Sequence, residues 1–338
     1  MTIWTDYLIA AGAKLGDDAC DFGDPTAHPD ALARGALAVP LSHLGQLRAT
    51  GEDAASFLHN MFSNDVANLP VDTAQWNSFN TPNGRMLASL LLWRDAAGHS
   101  LTLAADLAPA LLAKLSKYVL RSKVKLSDAS LDRARIGLVG HQAGEVLKQA
   151  ALPCPAAIMH CAASGNIHVI QAFVGAYFLD LPADEAPALF EALKQAGAEA
   201  AGTADWQLAM VRAGIPHVTA ATTDAFVPQM LNFELIGGVS FKKGCYPGQE
   251  IITRAQHIGK VKRRLYRLAF PGGTDRPTPG ANLFAEAGES VGTIINAVAL
   301  SGGESEALAV IHSNCVDAGN EIRLGGARAR MLNLPYTF

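Results

Sequence analysis

Residues 243–250 constrain this chain more than any other segment, because they read Lys-Gly-Cys-Tyr-Pro-Gly-Gln-Glu. Gly244 and Gly248 permit backbone conformations that other residues avoid, and the Tyr-Pro-Gly sequence between them is typical of a turn. Two segments that are more apolar than the octapeptide flank it: residues 237–241 before it and Ile251-Ile252 after it. This pattern predicts a shaped loop held between two regular elements.

Cys245 is the chemically distinctive residue of this loop. A thiolate is favoured by nearby positive charge, and Lys243 and Arg254 lie close to it in sequence. Glu250 could accept a proton or orient a cation. The alternative is a tight turn with an inert cysteine, since free cysteine is among the most buried residue types. The octapeptide as a whole favours a functional loop, with Cys245 as the candidate catalytic residue.

The octapeptide resembles the K-G-C-Y-x-G-Q-E signature of the YgfZ proteins, folate-binding relatives of the glycine-cleavage T-protein, an aminomethyltransferase. The likeness continues through Arg212-Ala213-Gly214, Phe226-Val227-Pro228-Gln229 and the Gly237-Gly238 pair. Nearer the start, Thr50-Gly51-Glu52-Asp53 and Asn64-Asp65-Val66 are similar to the opening of T-protein-like domains. The resemblance covers the chain from about residue 37 onward and is strongest over residues 204–264.

The resemblance implies an α+β fold of the GcvT/YgfZ type, with two interleaved α+β domains around a central ligand hole and a small C-terminal β-barrel. The expected division is an irregular lead-in (1–36), the first part of a GcvT-like α+β domain (37–130), a second α+β domain with the octapeptide (131–258) and the barrel (259–338). The residues themselves indicate an all-β end, because short strand-like segments alternate there with Pro/Gly clusters. These predicted strands are 265–270, 291–300, 307–312, 321–324 and 328–334.

Three further local predictions come from the sequence pattern. Residues 85–93 and 100–104 alternate as two strands of a hairpin. Asp106 is predicted to cap a helix. Residues 12–35, rich in Gly, Asp, Pro and Ala, are predicted to be irregular.

The resemblance also implies a ligand, tetrahydrofolate or a derivative. Relatives carry a folate-pocket aromatic at the position of Trp206, and an indole face can stack on a pteridine. Ordinary core packing is the alternative for Trp206. Leu44 stands where some relatives have a second pocket aromatic, and Arg212 follows on the same predicted helix as Trp206. Trp206, Leu44 and Arg212 are therefore the expected folate-binding residues.

The chain departs from T-protein where the transferase needs a proton carrier. T-proteins place an acid/base carboxylate in the segment that corresponds to residues 83–89, and the acidic positions are Ala88 and Ser89 here. The sequence has no carboxylate between Asp72 and Asp95. A pterin-binding glutamate is likewise missing from residues 172–177. A functional aminomethyltransferase is therefore not expected.

Two functions remain open. The first is a folate-binding accessory protein that supports assembly or repair of iron–sulfur proteins, with indirect effects on tRNA thiomodification. Cys245 is then the functional thiol, Lys243 and Arg254 favour its thiolate, and Gln249 and Glu250 shape the loop around Tyr246. The second is a folate-dependent one-carbon transferase of unknown donor; a protein that only senses folate is a weaker third. The missing carboxylate favours the first.

Composition limits the class of protein and the cellular location that are expected. The chain has 338 residues, 49% hydrophobic, with a net charge of -4, which indicates a folded protein and argues against a general nucleic-acid coat. No apolar run reaches the ~18–20 residues of a membrane span, and no signal peptide is visible, so a cytoplasmic location is expected. The five cysteines form no C-x-x-C pair, so no stably bound metal is expected. The family suggests a monomer whose partners are folate and iron–sulfur client or assembly proteins.

Two other features have open interpretations. A basic run, made of Lys260, Lys262, Arg263, Arg264 and Arg267, could meet RNA or the polyglutamate tail of a folate, or form the solvated face of a strand. Direct nucleic-acid binding is not expected. His59 lacks, in the sequence, the partners that a nucleophilic triad would need.

Overall fold

The computed structural model describes residues 2–16, 19–257, 261–273 and 275–338, without the side chain of residue 257. The predicted domain boundary at 258/259 therefore lies outside the described residues. Short 3-10 turns occur at Ala105–Leu107 and Pro228–Leu231. The helices of the described residues are α1 (Ile3–Ala10), α2 (Pro29–Arg34), α3 (Ala54–Met61), α4 (Ala108–Val119), α5 (Ala143–Gln149), α6 (Ala186–Gln195), α7 (Thr203–Ala213), α8 (Gln249–His257) and α9 (Ser313–Asp317).

The strands alternate with these helices along the first two thirds of the chain and follow one another closely in the last third. In the first part they are β1 (Lys14–Leu15), β2 (Cys20–Asp21), β3 (Leu37–Pro40), β4 (Leu44–Thr50), β5 (Ala74–Asn80), β6 (Met86–Asp95), β7 (Gly98–Ala104), β8 (Lys125–Asp128), β9 (Arg133–Val139), β10 (Cys161–Ser164), β11 (Ile167–Phe173), β12 (Ala176–Pro182) and β13 (Glu199–Ala200). In the last third they are β14 (Arg263–Phe270), β15 (Asn282–Ala285), β16 (Ser290–Ala299), β17 (Ser305–His312), β18 (Ile322–Leu324), β19 (Ala327–Arg328) and β20 (Arg330–Leu332).

Four sheets result from these strands. Beside the β1-β2 pair, a six-stranded sheet has the order β10-β11-β12-β9-β3-β13, and a five-stranded sheet has the order β5-β6-β7-β4-β8. The seven-stranded sheet has the order β19-β18-β15-β16-β17-β14-β20. Its two end strands are separated in the chain by Ala329 alone, so this sheet curls into a nearly closed barrel. The predicted α+β class and C-terminal barrel are confirmed.

The chain divides into two compact units. The first unit comprises residues 1–57, 68–75 and 91–209, and the second comprises residues 58–67, 76–90 and 210–338. The domain bounds expected from the sequence remain a prediction.

The core of the first unit lies on one face of the six-stranded sheet. Alternate residues of β9, among them Ile136 and Leu138, are fully buried there, as the period of two in a strand requires. Helix α1 contributes Trp4 to this core, and its ring lies 5.5 Å from that of Phe190 on α6. The opposite face of β9 carries Gly137, over which the Trp206 ring packs.

The core of the second unit fills the barrel. Leu268, Ile294, Ala309 and Ile311 are fully buried in its interior, and all come from the central strands β14, β16 and β17. The strands predicted in this region are confirmed to within two residues, except that the segment predicted at 328–334 is two short strands, β19 and β20. β15 was not predicted, because its four residues lie between turn sequences and carry little pattern of their own.

Other local predictions gave mixed results. The hairpin is confirmed as β6 and β7, in which Asp95 pairs with Gly98. The irregular stretch predicted at 12–35 contains α2, whose proline fits the first helical turn. The capping role of Asp106 is wrong: α4 begins after Leu107, with no side-chain cap bond, because a 3-10 turn leads into it.

Among the described residues, none of the helices combines the length and the apolarity needed to cross a membrane. In the same part of the chain, no three His, Cys, Asp or Glu side chains gather as the ligands of one metal ion would.

Candidate functional site

Lys243 anchors the octapeptide loop within the second unit. Its side chain is buried, and its Nζ donates hydrogen bonds to the backbone carbonyl oxygens of His59 and Phe62, the second at 2.6 Å. Both carbonyls lie at the C-terminal end of α3, where helix carbonyls lack partners inside the helix. Nζ also lies 4.9 Å from the centroid of the Tyr246 ring. Lys243 therefore acts as a charged cap that ties the loop to α3.

Burial changes the pKa values of both Lys243 and Tyr246. It lowers the pKa of Lys243 to about 8, while the Asp65 carboxylate acts in the opposite direction. Burial also raises the pKa of Tyr246 to about 12, and its buried hydroxyl has no partner among the described residues. The Lys243 ammonium is engaged by the α3 carbonyls, so an anchoring role accounts for it better than the predicted support of the Cys245 thiolate.

Gly248 lies against the turn formed by residues 81–84, also within the second unit. Its φ is +82°, and a Cβ placed on it would lie 2.5 Å from the Thr81 oxygen and 2.6 Å from Gly84 Cα. Any side chain at this position would meet backbone atoms that cannot rotate away. Helix α8 begins at the next residue, Gln249. Because Gly248 has no side chain, the loop can pass directly against residues 81–84 before α8 begins.

Replacing Gly248 by alanine is expected to destabilise the protein more than the same change at Gly237. Gly237 has a φ of +75°, but a Cβ there would meet nothing within 4 Å, so Gly237→Ala measures the left-handed backbone cost alone, about 1–2 kcal/mol. Gly248→Ala adds the clash with Thr81 and Gly84, about 1–3 kcal/mol more. Urea unfolding of both variants measures the difference, and equal losses would contradict the close approach.

The closed loop presents Cys245 to solvent. The backbone amide of Gln249 donates to the Tyr246 carbonyl at 3.1 Å, and Gln249 Nε2 donates to the Lys243 carbonyl at 3.4 Å. Cys245 lies between these bonded positions and is exposed. The expectation of a buried cysteine in the alternative interpretation is therefore wrong, while the reactivity of Cys245 remains a prediction. Of the other predicted loop residues, Gly244, Glu250 and Arg254 are also exposed.

No pattern in the sequence indicates that His59 lies beside the octapeptide loop. Its Nδ1 lies 3.1 Å from Asp65 Oδ1, and its Nε2 would lie 3.9 Å from a Cβ placed on Gly244. Burial and the Lys243 charge lower the pKa of His59, although Asp65 opposes them. His59 and Gly244 are far apart in sequence, so no local pattern pointed to this pair.

The predicted folate residues of the first unit are both buried. Trp206 is 3% exposed, with its ring 5.6 Å from that of Phe173 and directly over Gly137. Its indole Nε1 has no hydrogen-bond partner among the described residues. Leu44, the first residue of β4, is 7% exposed. Their role toward folate remains a prediction.

Arg212 lies in the second unit and forms an ion triad there around the buried carboxylate of Glu306. Its Nε and Nη2 bond the Glu306 carboxylate at 3.2 and 2.8 Å, and Arg267 bonds the same carboxylate at 2.7 Å. Arg264 of the predicted basic run pairs with Glu234. Arg264 and Arg267 are therefore held by carboxylates, while Lys260 lies outside the described residues.

The positions of the missing transferase acid are buried in β6. Ala88 and Ser89 are 1% and 3% exposed. Ser89 Oγ accepts a hydrogen bond of 2.9 Å from the Val218 backbone amide. The serine hydroxyl thus satisfies a buried amide, a structural role that needs no charge.

Known proteins are similar to this chain in sequence and in fold. The family model of the GCVT N-terminal domain matches residues 28–236. The tRNA-modifying protein YgfZ of Escherichia coli O7:K1 is 29% identical over 320 residues, 93% of this chain and 97% of that protein. The protein of the same name from Escherichia coli O157:H7 is 31% identical over 286 residues, 83% and 87% of the two chains.

A solved structure extends the likeness to the fold. The glycine cleavage system aminomethyltransferase T from Bartonella henselae superposes with a TM-score of 0.80, covering 100% of this chain and 98% of that one, at 21% identity. At that identity the match shows a common fold. The domain match and the two YgfZ relatives, each similar over most of its length, establish that the chain belongs to the YgfZ family and has a GcvT-type fold.

Proposed function

We propose that this chain is a folate-binding accessory protein that supports the assembly or repair of iron–sulfur proteins, and through them tRNA thiomodification, with Cys245 as its functional thiol. The observation that carries the proposal is the exposure of Cys245 between two buried, anchored residues, Lys243 and Tyr246. A loop built only for stability would gain nothing by presenting a thiol to solvent. The name of the relatives, tRNA-modifying protein, supports the link to tRNA.

Because Cys245 is a single exposed thiol, the reactions in which the loop could take part are limited. A thiolate is a nucleophile and a metal ligand, and iron–sulfur clusters are held by several thiolates. A single cysteine from this chain would therefore share sulfur or a cluster with a client protein, as a substrate in transit. The anchored loop would hold the thiol in one place while the client docks.

The one-carbon transferase alternative has less support. It needs an acid or base next to the pterin. Ala88 and Ser89 occupy the corresponding positions, and the Ser89 hydroxyl is engaged by the Val218 amide. A transferase would have to bring its proton carrier from another part of the chain.

Tetrahydrofolate, or a derivative, is the proposed ligand. The first unit has residues of suitable chemistry: Trp206 has a buried N–H without a partner among the described residues, and Leu44 has a buried apolar side chain. A pteridine has both hydrogen-bond acceptors and flat apolar faces, so these residues fit it. Bound folate would stabilise the folded state by mass action.

Cys245→Ser is expected to leave the fold and the folate affinity unchanged but to abolish rescue of iron–sulfur enzyme activity in a deletion strain. The exchange replaces one exposed sulfur by oxygen, so packing is unaffected. Cys154→Ser is the matched control, because Cys154 is also exposed, and it should rescue fully. Calorimetric titration with tetrahydrofolate and thermal unfolding complete the comparison.

A different experimental result would contradict each part of the proposal. Full rescue by Cys245→Ser would remove the thiol from the function. Absence of tetrahydrofolate binding by the wild-type protein would remove the folate, whatever the rescue shows. Equal loss of rescue in Cys245→Ser and Cys154→Ser would indicate a general sensitivity to cysteine replacement.

A further inference from the structure

A tight turn follows helix α4 in the first unit and places a leucine at its apex. The backbone amide of Ser122 donates to the Val119 carbonyl at 2.8 Å, so residues 119–122 form a β-turn with Leu120 in its second position. Leu120 has a φ of +43° and a ψ of -107°, close to the values of the second residue of a type II′ turn. Glycine usually occupies that position, because a side chain there crowds the backbone. The sequence therefore keeps a bulky residue where the turn itself favours glycine.

Packing in the core does not account for Leu120. Its side chain is 88% exposed, the highest value for a large hydrophobic side chain in the described part of the chain. Tyr118, in the last turn of α4, is 47% exposed, whereas Leu111 and Leu115 of the same helix are buried. Backbone strain that the core does not require points to a role for the side chain at the surface. Leu120 and Tyr118 thus form an exposed apolar tip at the end of α4.

Cations surround this apolar tip. Lys117 and Arg121 lie beside it in the chain and are exposed. Lys123 and Lys125, on the segment that leads into β8, are exposed as well. The sequence has no Asp or Glu in residues 107–127. Although the whole chain has a net charge of -4, this segment is positively charged.

Nearby carboxylates engage one of these four cations. Lys123 Nζ pairs with Glu52 at 2.7 Å, and the backbone amide of Lys123 donates to Asp53 at 2.8 Å. Within the described residues, none of the other three cations forms an ion pair with a carboxylate. Three unpaired charges therefore remain around the apolar tip.

An anionic lipid surface matches the size, exposure and charge of this tip. A lipid interface accepts exposed apolar side chains without a matching pocket, and its headgroups attract cations. Residues 117–121 are too few to bury the roughly 800 Å² per partner of a standard protein interface. RNA offers phosphates to the cations and base faces to Tyr118, but it has no apolar interior for Leu120.

We propose that residues 117–121 dock on membranes that carry anionic lipids, with the two apolar side chains entering the interface and the three unpaired cations facing the headgroups. Each Lys or Arg beside an anionic leaflet strengthens binding about 5-fold, so three of them together contribute about 100-fold. The contact is peripheral and reversible, because only two apolar side chains enter the lipid. Neither the Cys245 thiol nor folate takes part in it, so it stands apart from the proposed function.

Co-sedimentation of the purified full-length protein with vesicles measures this contact. One set of vesicles contains equal amounts of phosphatidylglycerol and phosphatidylcholine, and the other contains phosphatidylcholine alone. Wild type should bind the neutral vesicles about 10- to 100-fold more weakly than the anionic ones. Binding to the anionic vesicles should largely disappear between about 0.1 M and about 1 M salt, because the Debye length falls from about 10 Å to about 3 Å.

Paired variants separate the tip from the rest of the surface. Leu120→Ala should weaken binding to anionic vesicles about 3- to 10-fold, since a partly inserted leucine loses three carbons. Leu131→Ala is the matched control, because Leu131 is 75% exposed and lies outside the tip; it should bind like wild type. Lys117→Gln combined with Arg121→Gln should weaken binding about 10- to 30-fold.

Leu120→Gly distinguishes a role at the surface from a role in the fold. It should weaken vesicle binding at least as much as Leu120→Ala does, yet its Tm should not fall, because glycine is the residue that the turn favours. A lower Tm together with unchanged vesicle binding would show that Leu120 serves the fold and would overturn the proposal.

Equal binding to neutral and anionic vesicles, or binding to neither, would also overturn the proposal. So would equal vesicle binding by Leu120→Ala and Leu131→Ala. Fluorescence anisotropy with a short labelled single-stranded RNA tests the other polyanion. RNA binding that depends on Lys117 and Arg121, in a protein that does not sediment with vesicles, would assign the cations to RNA instead.

Discussion

Replacing Glu306 by glutamine is expected to lower the free energy of unfolding by about 2–4 kcal/mol, because two half-buried guanidinium groups lose the carboxylate that they share; their partial exposure makes the loss smaller than for a fully buried pair. Arg212 and Arg267 bond the two oxygens of Glu306, and the carboxylate side chain is only 8% exposed. A neutral amide offers one acceptor and directs two N–H groups toward positive charge. Equilibrium urea unfolding of wild type and variant measures the loss.

Glu304→Gln is the control, since Glu304 lies two residues earlier, is exposed and undergoes the same change of charge. It should shift the free energy of unfolding by no more than about 0.5 kcal/mol. Equal losses for the two variants would contradict the importance of the triad. The triad gives Arg212, which is expected from the sequence to bind folate, a structural partner within the protein as well.

The triad also predicts the direction of a pH effect. Burial alone would raise the pKa of Glu306, but hydrogen bonds from Arg212 and Arg267 outweigh it and hold the pKa below its usual value. In acid the unfolded chain therefore takes up this proton before the folded one does, and wild type loses stability as the pH falls through the lowered pKa. Glu306→Gln should lack this part of the loss, which unfolding curves between neutral and acidic pH would show.

Lys243→Met is expected to lower the free energy of unfolding by up to about 3–6 kcal/mol, the sum of two charge-assisted hydrogen bonds at about 1.5–3 kcal/mol each. Desolvation of the buried ammonium, which lowers its pKa, offsets part of this loss at neutral pH. Methionine retains the apolar stem but leaves the carbonyls of His59 and Phe62 without their donor. The loop should then open more often, so the backbone amide of Gln249, which closes it, should exchange faster with solvent. Hydrogen exchange followed by mass spectrometry measures the opening, and urea unfolding measures the stability.

Lys242→Met provides the control, because Lys242 is the adjacent residue, carries the same charge and is exposed. It should leave both measurements close to wild type. Unchanged exchange in Lys243→Met would contradict the anchoring role. An equal effect at both lysines would point to charge on the loop in general.

The anchor has a pH dependence of the same sign as that of the triad, but in an alkaline range. The pKa of Lys243 is lowered from 10.5 to about 8 by burial, so between these values the unfolded chain binds more protons than the folded one. The contribution of Lys243 to stability therefore rises with pH across this window. The difference in unfolding free energy between wild type and Lys243→Met should widen from about pH 7.5 to about pH 9.5, because effects common to both proteins cancel.

Features with local causes were predictable from the sequence. The turn in residues 243–250 follows from its glycines and proline, and the barrel strands follow from short alternating segments between Pro/Gly clusters. The exposure of Cys245 agrees with the functional interpretation of the octapeptide. The family resemblance correctly implied the α+β fold, which packing alone would not have distinguished from other mixed arrangements.

Features that depend on distant partners were not predictable. Lys243 looks like a surface cation in the sequence, because nothing near it shows that the carbonyls at the end of α3 will bury it. Arg212 and Glu306 are 94 positions apart, and single arginines and glutamates carry no mark of their partners. The approach of the His59 ring to Gly244 likewise depends on the fold, because the two residues are far apart in sequence.

The anchor between Lys243 and His59 joins residues 184 positions apart, and this separation sets the order in which the protein can be completed during synthesis. At about 5–20 residues per second, a ribosome adds Lys243 roughly 10–40 s after His59. Until then the carbonyls of His59 and Phe62 lack the donor that the folded protein gives them. A chain that stops short of Lys243 has neither the thiol nor its anchor. Cys245 is thus added only when nearly three quarters of the polypeptide has been made, so chains that end before it lack the exposed thiol.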